Sequence, residues 1–393
     1  MNLEGTIRAN GEDGYGQYWN GGGSGGGIRL DVGTLTGSGA IQAWGGLGEV
    51  NGSNKGSGGG GRIVVIYGDK TGWTGSINAS GGPSTNGQNI GGAGSIYLRQ
   101  TAASYGELIL SNSLDTTGVK PTVLLTNEPT LQNLDLTDGA QLRLTSDLNG
   151  DGTTNASDVL KLIDPLVVSS GAGLILEDGA ALNVSSITMT SGGDAWFYAG
   201  SSPVFDEIHL TGSGSTLYSE IDLTFAQGSF FTLDKSASAT NYGTFTIPSF
   251  DGTNFISGTF SNQATLVVQS GSIEVVSGVT LVEDGQFGAT DTVDQMTVGG
   301  IVTHTHRRMA GLSFSVNNTL TIQSTGVLDA DARGWGGGNG NGSPFGLSGE
   351  TYNSSFTGSA AGSGSASGGS YGGEGGGSAA SAPYGRIEDA IYL

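Results

Sequence analysis

The chain has 393 residues with no cysteine, which excludes disulfides, thiolate metal sites and cysteine catalysis together. Acidic residues outnumber basic ones 35 to 14, and the net charge of −21 excludes nucleic acid and anionic membranes as natural partners. Seventy-five glycines with only eight prolines and no strict G-X-Y period exclude a collagen helix, and no apolar run is long enough to span a membrane.

The first hundred residues carry one segment three times. GTIRANG from Gly5, GAIQAWG from Gly39 and GSINASG from Gly75 place Ile7, Ile41 and Ile77 at intervals of 34 and 36 positions. Each copy is followed by a Gly-rich stretch and then an alternating apolar run: IRLDV from Ile28, RIVVIY from Arg62 and SIYLR from Ser95. Such a period is the signature of a solenoid, in which each unit buries its apolar face against the next. Loops such as WNGGGSGGG are too rich in glycine for helices, so residues 1–105 are expected to be strands joined by Gly-rich connections.

From residue 106 to 320 glycine thins out and short alternating runs recur, among them ELILS, QLRL, GLILED, EIHL, TLYSEIDL, TFTI and VTLVED. Segments such as SGAGLILEDGAALNVSS contain two strands joined by a Gly-containing corner, the length of one solenoid rung. A parallel β-helix is favoured over a sandwich. Residues 321–393 return to the Gly-rich style, with TGVLDADARG a degenerate fourth copy of the short motif. The first residues and the last, Ile387 to Leu393, read as interrupted repeats. Head-to-tail pairing of the C-terminal region with the N-terminus of another copy is therefore expected.

One chemical motif stands out at 147–166. In SDLNGDGTTNASDVLKLIDPL, Asp147, Asn149 and Asp151 occupy positions 1, 3 and 5 of an EF-hand-type loop, Gly152 the turn, the Thr153 carbonyl position 7, Asn155 position 9 and Asp158 position 12. Hard oxygen ligands at this spacing suit Ca²⁺, and a short helix is expected over ASDVLKLID. The string resembles one calcium loop of a dockerin module. A dockerin carries two such loops and only one is visible, so cohesin binding does not follow.

The Gly-rich strings GGGSGGGIRLDVGTLTGSGAIQAWGG, GSGGGGRIVVIYGD and TGWTGSINASGG, with VTHTHRRMAGLSFSVNN later, resemble the repeats of large secreted bacterial adhesin-like proteins. That resemblance implies β-helical, cell-surface or extracellular structural work, and it carries no catalytic residues. The expectation is thus an all-β parallel solenoid with Gly-rich ends and a calcium-loop and helix insertion, extracellular and not an enzyme. Its partners would be further copies of itself and surface glycans, without nucleic acid or membrane insertion.

The alternative is a β-helix that binds or cleaves carbohydrate. Trp19, Trp44, Trp73 and Trp335, beside the Gly-rich loops, are the candidate sugar platforms, although the same rings could fill a core. Asp329 and Asp331 near Arg333 form the best carboxylate pair for glycoside chemistry. His304 and His306, placed on one face by strand alternation, are the one histidine pair, read as polar strand residues and not as metal ligands.

Overall fold

The computed structural model describes residues 1–14, 21–48, 56–83, 89–112, 119–227, 229–306, 308 and 311–331, with the backbone of 350–352 and 359–361. Contacts divide the chain into two units, 1–248 with 256–258, and 249–255 with 259–393.

The first unit opens with β1 (Thr6–Arg8), β2 (Gly27–Thr34), β3 (Ala40–Gln42), β4 (Arg62–Asp69), β5 (Ser76–Asn78) and β6 (Ser95–Gln100). The parallel sheet β1-β3-β5 sets Ile7, Ile41 and Ile77 in register, as the repeat predicts. In the facing ladder Ile28, Ile63 and Ile96 line up in the same way and meet Ile41 and Leu35 in a shared core. The solenoid reading holds here residue by residue.

The glycines between those strands are not primarily turns. Gly23 donates to the Glu12 carbonyl, Gly46 to Gly23, Gly58 to Gly46 and Gly82 to Gly58, at 2.7–2.9 Å. Other amides of the same segments bond along the stack, as Gly25 does to Gly59 and Gly60 to Gly92. The arms thus form a lattice bonded both across and along the solenoid. Backbones approach so closely that a Cβ on Gly58 would lie 1.9 Å from the Gly23 oxygen.

After the antiparallel pair formed by β6 and β7 (Glu107–Ser111), the rungs carry three short strands each. They are completed by β8 (Thr122–Val123) and β9 (Thr130–Leu131), then β10 (Asn133–Thr137), β11 (Gln141–Leu144) and β12 (Val159–Leu162). Next come β13 (Leu166–Val168), β14 (Gly173–Leu176) and β15 (Ala181–Asn183), then β16 (Ser186–Met189), β17 (Asp194–Phe197) and β18 (Ser202–Val204). The last two rungs of this unit are β19 (Glu207–Leu210), β20 (Thr216–Ser219) and β21 (Leu223–Thr224), and β22 (Phe231–Leu233), β23 (Ser238–Asn241) and β24 (Thr244–Ile247).

Strict registry produces columns of like side chains. Leu110, Leu136, Val168, Met189, Leu210 and Leu233 stack through five successive pairings, and all are fully buried. Each such side chain contributes about 1.5–3 kcal/mol of apolar burial.

The corners repeat too. Ser170 and Gly171, then Ser191 and Gly192, have positive φ, and the Ala172 and Gly193 amides bond back to Ser169 and Thr190. These are I′-type turns, the usual hairpin signal, used here to turn the chain between two parallel sheets.

The second unit holds β25 (Gly258–Asn262) from Thr259 onward, β26 (Thr265–Val268), β27 (Ser272–Val275), β28 (Val279–Glu283), β29 (Gln286–Phe287), β30 (Thr292–Val298), β31 (Ile301–Thr303), β32 (Ser315–Ile322) and β33 (Val327–Asp329). In it β26 pairs with β29, β27 with β30, β28 with β31, β30 with β32 and β31 with β33, each in parallel. Beyond them a short antiparallel pair joins β34 (Glu350–Tyr352) to β35 (Ser359–Ala361). The fourth copy of the repeat, in β33, pairs with β31 and not with the sheet of the first three copies. Most of 321–393, with Trp19, Trp335, Arg307 and Arg333, lies outside the described residues.

Candidate functional site

The acidic loop joins two strands of one rung, β11 and β12. Asp147 accepts the amides of Gly150, Asp151 and Gly152 at 2.8–3.1 Å, and positive φ at Gly150 and Gly152 gives the sharp bend. Asp158, buried, accepts the Leu148 and Asn149 amides on one oxygen and the Asn155 amide on the other. Asp151 takes the Thr153 amide at 2.8 Å, and hydrogen bonds from Thr153 hold its carboxyl below the usual range. Asn155 caps a single 3₁₀ turn, Ala156–Asp158.

The helix expected over ASDVLKLID is absent. After that turn Val159–Leu162 enter the ladder as β12, because Leu160 and Leu162 face the core beside Leu182 and Leu131. Tertiary pairing overrides the helical spacing. The donor set of Asp147, Asn149, Asp151, Thr153, Asn155 and Asp158 suits a hard cation, and no lysine or arginine pairs with these carboxylates among the described residues. Yet no three acidic or histidine side chains there converge as a ready ligand group.

The tryptophans fall in different settings. Trp44 is 38% exposed. Trp73 packs against the first core and lines, with Tyr67, Lys70, Asp135 and Asp138, a cavity of about 400 Å³. It opens among the strands where the long rungs give way to shorter ones. Burial, then the charges of Asp138 and Glu107, raises the Asp135 pKa there.

A second aromatic group was hidden in the sequence. Trp196 and Tyr218 are in register on β17 and β20, with Tyr198 and Tyr242 just beyond β17 and β23. The Tyr198 and Tyr218 rings are 5.9 Å apart and the Tyr218 and Tyr242 rings 5.1 Å. The available signal is an aromatic at intervals of about one rung, as in AWFYA, TLYSE and TNYGT.

The histidine pair does not share a face. β31 ends at Thr303, so alternation stops; His304 is fully buried and His306 exposed. His304 Nδ1 bonds the Thr305 carbonyl at 2.7 Å, leaving Nε2 without a partner. Nearby Glu283 is fully buried, accepts both bonds of the Asn262 amide group at 3.0 and 3.1 Å, and is pushed up to about 8, chiefly by burial. Arg308 spends its guanidinium on the Glu283, Gly285 and Gly311 carbonyls. Asp329 accepts the Asp331 amide at 2.9 Å, a local turn bond.

No family, curated protein or solved structure matches this chain.

Proposed function

We propose that the chain is an extracellular structural protein, a subunit of a head-to-tail fibre, surface layer or adhesin, with calcium bracing the 147–158 loop. One observation carries this reading, the outer edge of β2. The Gly25 and Leu35 amides donate to Gly59 and Asp69, so alternate groups between them point away from β4. Met1 to Leu3 cover only the 34–36 end of that edge, and among the described residues no strand lies on Gly27 to Val32. A parallel ladder ending in a long open strand is a template for the next rung, supplied here by a second copy.

Electron microscopy and concentration-dependent sedimentation in calcium test this. Filaments are expected for the native chain, and shorter or no filaments for a Gly27→Lys, Gly33→Lys double variant, at positions where an added Cβ meets nothing within 4 Å in the free chain. A native chain that stays monomeric at high concentration in calcium overturns the reading. The aromatic outer face around Trp196 favours a second reading, carbohydrate binding.

A further inference from the structure

We propose that the outer face of the sheet β14-β17-β20-β23 binds a neutral glycan lying along the solenoid axis. Registry builds this face in rows. Gly173, Asp194 and Thr216 form one; Ile175, Trp196, Tyr218 and Thr240 the next. Backbone bonds from Tyr198, Glu220 and Tyr242 to Leu176, Phe197 and Ser219 continue the stacking into a third.

The Trp196 indole lies over Gly173, where a Cβ would come within 2.7 Å of the ring. Tyr198 and Tyr242 are 40% and 48% exposed, while Ala195, Phe197, Leu217 and Ala239 fill the interior of the same rungs. The outward rings are therefore surplus to the core, and their spacing follows the rung repeat.

Polar groups around the rings are held in place. Glu220 accepts the Tyr218 hydroxyl at 2.6 Å and the Ala199 amide at 3.0 Å, which together lower its pKa. Asp194 takes the Thr216 hydroxyl at 2.6 Å and amide at 3.1 Å on one oxygen, leaving the other unused in that bond. Beside Trp196 lies a depression of about 570 Å³ lined by Gln141, Ser170, Ser191 and Asp194. A sugar offers an apolar C–H face to the rings and hydroxyl edges to such acceptors and donors.

Charge selects the class. Arg143, the cation on this face, is committed to Glu177 at 3.2 Å. Asp194 and Glu220 leave the face negative, in a chain of net charge −21, so uronates and sulfated sugars are repelled. This site stands independently of head-to-tail assembly.

The test is calorimetry of the full chain with hexamers of glucose, mannose, galactose and N-acetylglucosamine, set against oligogalacturonate and chondroitin sulfate. Binding of at least one neutral hexamer is expected, weakened about tenfold by Trp196→Ala or Tyr242→Ala and unchanged by Tyr105→Ala, an exposed ring outside these rows. Tyr242 is exposed, so its variant keeps the test valid if Trp196→Ala fails to fold. No neutral binding, binding of the acidic sugars alone, or binding indifferent to a folded Tyr242→Ala and Trp196→Ala overturns the proposal. Filament formation is scored separately, so loss of either reading leaves the other intact.

Discussion

Glu283 shows what a single buried carboxyl does to this fold. Its folded pKa of about 8 stands above the usual 4.5, so between those values the folded chain holds a proton that the unfolded chain has lost. Its contribution is full below pH 4.5, declines as pH rises, and is gone above about 8. At 1.36 kcal/mol per pKa unit the change reaches about 5 kcal/mol at most. Denaturant midpoints measured from pH 5 to 9 should fall for the native chain, and Glu283→Gln should flatten the curve. At this scale the sequence was legible where chemistry is local: the acidic loop residues make the tight turn their spacing demands. Trp196 and Tyr242 were not, because their shared face exists only once the rungs are in register. His304 was misplaced because the strand carrying it ends at Thr303.

The strands of the first three rungs could be read from their apolar alternation, and they pair as the repeat implies. What composition hid was the use of the glycines, which follows from how near two backbones come and leaves no trace in periodicity. Gly58 and Gly27 separate the two effects. A methyl on Gly58 must displace the Gly23 carbonyl, 1.9 Å away, whereas one on Gly27 meets nothing within 4 Å. Gly58→Ala should therefore cost about 3 kcal/mol or more, and Gly27→Ala should be neutral or slightly stabilising through the unfolded chain. Thermal melts of the two variants decide it, and equal melting points would contradict the lattice. The segment Val159–Leu162 makes the converse point. Its sequence suits a helix, but Leu160 and Leu162 gain more by joining neighbouring rungs than an isolated turn after Asp158 could supply.

A solenoid is a one-dimensional body, each rung stabilised mainly by its two neighbours, so local damage should stay local. The acidic loop tests that at the scale of the whole molecule. It links β11 to β12, whose direct partners are β8 and β14 in one sheet and β9 and β15 in the other. If calcium braces the loop, chelation should raise hydrogen exchange across those strands and leave the Gly-rich lattice and the buried Glu283 region unchanged. Asp147→Asn with Asp158→Asn should abolish the difference between calcium and chelator. Asp158 also holds the Leu148 and Asn155 amides, so its variant alone should loosen the same rungs even without calcium. The calcium reading therefore rests on the difference between conditions, not on the level of protection. Exchange that rises throughout the chain on chelation would mean the rungs unfold together, and the nearest-neighbour description would fail. Exchange indifferent to calcium would leave the loop as a turn organised by its own carboxylates.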